Sequence, residues 1–145
     1  MENKNFEVTT AQNGQVAFEK FRSCNNFDLV ILDLNMPISD GYEACQNIRN
    51  LFSIKNLFNQ NKRQQVPPVI IACSSFVEKQ VSERCIELGF DEVIEAPLSE
   101  MKFTEIISPL LICRIKKLYH AQSMQQILSD SGEEHDDKEG QLRKL

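Results

Sequence analysis

No apolar run in this 145-residue chain approaches the ~18 residues needed to cross a membrane. The opening Met1-Glu2-Asn3-Lys4-Asn5 lacks the apolar stretch of a secretory leader. Histidine is scarce: His120 and His135 stand apart, too few to build a metal cluster with cysteine. The five cysteines, Cys24, Cys45, Cys73, Cys85 and Cys113, are odd in number and scattered, each in or beside an apolar stretch. They read as small hydrophobes in a reducing compartment rather than as a disulfide framework. Positive charge is in deficit. The net charge of −5 gives no footing for nucleic acid. No internal repeat is visible, and Ser74-Ser75 lacks the flanking glycines of a nucleophile elbow. These absences describe a soluble, cytoplasmic protein with no membrane insertion and no nucleic-acid partner.

What is present is one domain's worth of chain, 41% apolar, enough for a real core. Phe6-Glu-Val-Thr-Thr-Ala11 predicts a short strand from its β-branched and aromatic residues. Asn13 predicts a cap for a helix over about 14 to 22 that buries Ala17, Phe18 and Phe21. Residues 28 to 32 are an almost unbroken apolar run, the mark of a strand covered on both faces. A helix over about 40 to 51 carries Ala44, Cys45, Ile48 and Leu51 on one stripe, and a polar connection fills 53 to 66. Pro68-Val-Ile-Ile-Ala-Cys73 is the next strand. Ser75-Phe-Val-Glu78 reads as a capping box for a helix with Val77, Val81, Cys85 and Leu88 inward, stopped by Gly89. Asp91-Glu-Val-Ile-Glu95 is a last short strand, closed by Pro97, and Ser99 caps a final helix. Strands alternating with helices imply parallel βα units and a three-layer α/β domain.

The most informative segment is Phe27-Asp-Leu-Val-Ile-Leu-Asp33-Leu-Asn-Met-Pro37-Ile-Ser-Asp-Gly41 and its following helix through Ile48-Arg49. A buried strand ends on an aspartate, a proline shapes the turn, and a helix follows. That layout presents one carboxylate at the carboxyl edge of a sheet, where open α/β folds place their chemistry. The segment closely resembles the phosphoacceptor segment of response-regulator receiver domains. Ala11-Gln-Asn-Gly14, Val69 to Ser75 and Gly89-Phe-Asp-Glu-Val-Ile-Glu-Ala-Pro97 extend the resemblance over about residues 6 to 108.

The resemblance implies a flavodoxin-like fold with a parallel sheet and a phosphorelay role. Asp33 would accept a phosphoryl group from a histidine kinase or histidine phosphotransfer protein, and the chain could be part of a larger hybrid kinase. The backbone carbonyl of Asn35, with Asp33, would serve as a Mg²⁺ ligand, and the Ser74 hydroxyl would contact a phosphoryl oxygen. Such a protein is a phosphoacceptor and not an enzyme in the ordinary sense.

Three departures stand beside the match. The family's first strand, with its acidic pair for Mg²⁺, and its first helix are not found in residues 1 to 108, and Asp28 lies at the wrong end of the Asp33 strand to replace the pair. The family's lysine before the proline is Ala96, with Lys102 well into the next helix. The switch aromatic aligns with Val93. These leave an alternative: a degenerate, non-phosphorylated receiver that binds a protein partner, on the surface around Val77 to Lys79 and Glu95 to Lys102. A hydrolase with an aspartate nucleophile in an Asp-x-Asp motif is disfavoured, because Asn35 and Pro37 stand where it needs Asp and Thr.

The domain plan is therefore a receiver-like unit over 1–108, a helical extension over 109–128 and a charged, apolar-poor tail over 129–145 expected to be disordered. Pro109 is expected to kink or restart the last helix, and residues 110 to 128 to fold back over apolar surface left by the missing helix.

Overall fold

The computed structural model describes residues 6–24, 26–58 and 66–130. Four helical regions and three strands alternate: α1 (Gly14–Cys24), β1 (Leu29–Asp33), α2 (Gly41–Phe58), β2 (Val69–Ser74), α3 (Lys79–Leu88) and β3 (Glu92–Glu95). The last region is continuous. It begins as α4 (Glu100–Lys102), passes through a π-helical turn (Phe103–Ile107) and continues as α5 (Ser108–Asp130). The strands form a parallel sheet in the order β1-β2-β3.

Both faces of β2 are covered, while β1, at the sheet edge, is only half-buried with Ile31 41% exposed, against the expectation of a strand covered on both faces. One face of the sheet carries Val30, Leu32, Ile70 and Ala72, packed on Phe21, Ala44, Cys45, Ile48, Phe52 and Cys85 from α1, α2 and α3. The other carries Val69, Ile71 and Ile94, packed on Phe103, Ile106, Ile107, Leu110 and Leu111 of the last helical region. This is the expected three-layer arrangement, and it explains why strand 69–72 has no polar residue: Ile70, Ile71 and Ala72 are fully buried.

Local signals hold at several ends. Asn13 caps α1, its Oδ1 accepting from Val16 N–H at 2.9 Å. Gly89 ends α3 at φ 98°, and Phe90 N–H reaches Cys85 O at 3.0 Å. Ser99 Oγ accepts from Lys102 N–H at 3.2 Å.

Other expectations are corrected. Residues 6–11 form no strand. Propensity is overridden because they make no ladder with β1. A groove of about 300 Å³ lies between Thr9–Ala11 and Leu29–Leu32 instead. The segment is held at its ends, by Phe6 edge-on to Phe103 at 5.4 Å and by Lys20 Nζ donating to Thr10 O at 2.7 Å. The capping box at Ser75 does not form. Helix α3 begins at Lys79 behind Glu78, which makes no side-chain cap. The Phe76 N–H is taken by Ser74 Oγ instead. Helix α2 runs to Phe58, into the expected connection, because Ser53–Phe58 holds no glycine or proline to stop it. Residues 59–65 lie outside the described residues.

At Pro109 no break in the helical region is seen, only a change of winding just before it. The proline lacks an N–H and crowds the carbonyl four residues back. The wider π turn directly before it accommodates the ring, and the helix proceeds. The expected fold-back of 110–128 is not seen. Ile115, Tyr119, Met124 and Ile127 stay exposed, and no turn residue interrupts the helix to reverse the chain. Among the described residues its docking contacts lie in the first turns, where Arg114 donates to Pro67 O and pairs with Asp28. The tail beyond Asp130 lies outside the described residues.

Candidate functional site

The carboxyl edge of the sheet is where the sequence pointed. Asp33 ends β1, in register with Cys73 of β2, and is exposed. Leu34 N–H donates to Cys73 O at 3.0 Å, so the ladder runs one residue past Asp33 and fixes its position. Asn35 N–H donates to Asp33 Oδ1 at 2.9 Å, an Asx-turn that orients the carboxylate. Its second oxygen takes no protein hydrogen bond among the described residues.

The loop from Leu34 to Asp40 is built to keep that geometry. Ser39 is buried, with Oγ donating to Glu43 Oε2 at 2.8 Å, and its carbonyl accepts from Gly14 N–H at 3.0 Å. Asp40 caps α2 through Oδ1 to Glu43 N–H at 2.9 Å. Gly41 is required by contact: a Cβ there would lie 2.4 Å from Asp33 O. The helix thus starts directly against the backbone of Asp33. Ile38 has φ 74°, a conformation β-branched residues rarely adopt, and its side chain is 84% exposed.

The other candidates fall as follows. Ser74 is buried, and strand alternation turns it to the face of Ile70 and Ala72, opposite to Asp33. Its Oγ donates to Phe76 O at 2.9 Å. The hydroxyl is engaged locally at the strand end. Asn35 sits beside Asp33 in the turn. Asp28 lies at the opposite edge, where its carbonyl accepts from Val69 N–H. Val93 is half-buried against the core.

Two residues at this edge went unread as site residues. Cys73 shares the Asp33 face and register. Burial pushes its thiol up, Asp33 pushes it further, and Lys102 pulls it down. The available signal was period-two alternation along 69–74, which pairs Cys73, not Ser74, with Asp33. The second is Lys102, whose Nζ donates to the carbonyl oxygens of Glu95 and Pro97 at the end of β3. Its separation from Pro97 in sequence hid that it folds back over the strand.

The donor set toward Mg²⁺ is one carboxylate, Asp33, and one carbonyl, Asn35. Among the described residues no group of three acidic, His or Cys side chains converges. Mg²⁺ takes one or two carboxylates and fills its octahedron with water and phosphate oxygens. The described residues alone do not complete such a site.

The family model for the response regulator receiver domain matches residues 1–108, and the chain belongs to that family. Hybrid signal transduction histidine kinase M of Dictyostelium discoideum is 30% identical over 115 residues, which cover 79% of this chain and 4% of that protein. A CheY-like receiver domain protein from Methanospirillum hungatei superposes with a TM-score of 0.63 at 19% identity, covering 80% of this chain and 82% of that one. In the CheX–CheY–BeF3–Mg²⁺ complex from Borrelia burgdorferi, the matched chain is 25% identical with a TM-score of 0.52, over 79% of this chain and 71% of that one. The fold is thus the flavodoxin-like receiver fold. The chain spans between 4% and 36% of the length of the first curated relatives it matches. No described helix is long and apolar enough to cross a membrane.

Proposed function

We propose that this chain is an intracellular phosphorelay receiver module whose Asp33 accepts a phosphoryl group from the phosphohistidine of a histidine kinase or phosphotransfer protein. The observation that carries it is Asp33 itself: an exposed carboxylate at the carboxyl end of the edge strand β1, oriented by Asn35 N–H and backed by the start of α2. A carboxylate oxygen attacks phosphorus, the phosphorus–nitrogen bond of the donor breaks, and the imidazole leaves with the electron pair. The product is an acyl phosphate. The protein holds the acceptor and is itself modified, so it acts as a signalling element rather than as an enzyme. Bound Mg²⁺ would neutralise phosphoryl oxygens, held on this chain by Asp33 and the Asn35 carbonyl, with the further acidic ligands coming from outside the described residues.

The test is transfer from a phosphohistidine-bearing phosphotransfer domain in Mg²⁺ buffer, followed by intact mass. The expected result is a gain of one phosphoryl group in the wild type and none in Asp33→Asn. Equal labelling of both would reject the assignment.

One observation favours the second reading, a docking module that works unphosphorylated. Phe76, Leu98 and Met101 stand exposed beside the same sheet edge. That reading expects Asp33→Ala to retain signalling in cells, and loss of signalling by a folded Asp33→Ala protein would exclude it.

A further inference from the structure

A phosphoryl group on Asp33 brings close to two negative charges to this edge, and a preorganised cation there lowers the barrier to its arrival. Position 96, directly before Pro97, holds an alanine. We propose that Lys102, reaching back from the last helix over the end of β3, is the residue that binds the phosphoryl oxygens on Asp33. The inference rests on the receiver reading above and names a residue of the same site.

Three observations converge on Lys102. Its Nζ is already anchored at the carboxyl edge, on Glu95 O and on Pro97 O at 3.4 Å. Glu95 pairs with Ser74, next to Cys73, which pairs with Asp33. The anchor is therefore two strand spacings, roughly 10 Å, from the acceptor backbone. A flexible four-carbon stem and a grown aspartyl-phosphate close such a gap between them.

Face is the second observation. The helical region that carries Lys102 packs through Phe103, Ile106 and Ile107 on the face of Val69 and Ile71. By alternation, that is the face of Asp33 and Cys73. The ammonium and the carboxylate therefore share one side of the sheet end.

The third is the state of Lys102 itself, whose present partners are neutral carbonyls. A phosphoryl oxygen is a stronger, charged acceptor, so exchange of one carbonyl for it is favourable. Lys102 is half-exposed, which leaves its stem free to swing.

The experiment uses acetyl phosphate in Mg²⁺ buffer. An Asp33 oxygen attacks phosphorus, the bridging phosphorus–oxygen bond breaks, and acetate leaves with the electron pair. The rate of phosphoryl gain is followed by intact mass for the wild type, Lys102→Gln, Ala96→Lys with Lys102→Gln, and Asp33→Asn. Thermal midpoints confirm that each variant is folded. The proposal expects Lys102→Gln to slow the gain about tenfold to a hundredfold, and the lysine at 96 to restore it. An unchanged rate in Lys102→Gln, with labelling lost in Asp33→Asn, overturns the role of Lys102 and leaves the receiver reading standing. Labelling of the wild type that persists in Asp33→Asn, or no labelling at all, overturns both.

Discussion

Arg49 is the clamp on which the packing of α2 against the sheet turns, and its removal has a calculable cost. Its Nε donates to Gly89 O at 2.8 Å, one terminal nitrogen to Pro68 O at 3.1 Å, and the other to Asp91 Oδ2 at 2.8 Å. Asp91 Oδ2 also accepts from Ile70 N–H at 2.7 Å. One side chain thus ties α2 to the turn after α3, the entry of β2 and the entry of β3. Each carbonyl bond is worth about 1 kcal/mol. The side chains of the ion pair are 22% and 38% exposed, so it adds about 1 kcal/mol and no more. Arg49→Met keeps the stem and the helix propensity and removes all three bonds. The expected loss is about 3 kcal/mol in urea unfolding, or roughly 10 °C in the thermal midpoint for a chain of this size. A double-mutant cycle with Asp91→Asn should return a coupling of about 1 kcal/mol. A loss below about 0.5 kcal/mol in Arg49→Met would refute the clamp, since that is the range of an inert surface position.

Other perturbations have defined outcomes. Gly41→Ala places a Cβ 2.4 Å from Asp33 O, a backbone atom that cannot yield without moving α2. It should cost about 1–3 kcal/mol in chemical unfolding and slow Asp33 phosphorylation by about a hundredfold; a stabilised protein would contradict the contact. Ile38→Gly relieves the strain of φ 74° and should raise stability by about 1 kcal/mol after the entropy cost of glycine; a loss of similar size would mean the exposed side chain contributes packing. Burial raises the Cys45 thiol from 9.0 to about 11. The unfolded chain therefore releases its proton first as pH rises, and stability present below pH 9 falls through pH 11 by about 3 kcal/mol. Urea midpoints across that range should flatten in Cys45→Ala, and an unflattened profile would assign the loss elsewhere.

Much of the fold was legible because its signals are local or periodic. The apolar run at 28–32, the inward stripe of Ala44, Cys45 and Ile48, and the stops at Gly89 and Pro97 each state one element in a few residues. The strand forecast at 6–11 failed because strand formation needs a partner, and the groove beside β1 means that Phe6 and Val8 have none; propensity is silent on pairing. The capping box at Ser75 failed because the chain turns locally at Ser74, whose Oγ takes the Phe76 N–H, and the helix starts three residues later than the motif suggests. The place of Asp33 at the strand end, and the turn into α2 behind it, were legible from the Asp33 to Gly41 string alone. The partners of that position were not. Cys73 takes its place through register across two strands, and Lys102 through the reach of a long side chain from a helix five residues beyond Pro97. Neither distance is written in linear spacing.

The central claim is that Asp33 is the residue that becomes an acyl phosphate. Borohydride reduces an aspartyl-phosphate to homoserine, which peptide mass mapping locates to a single position. After incubation with a phosphohistidine donor and Mg²⁺, homoserine at position 33, absent when the donor is omitted, is the predicted result. An intact Asp33, or homoserine at Asp28 or Asp40 instead, would contradict the account.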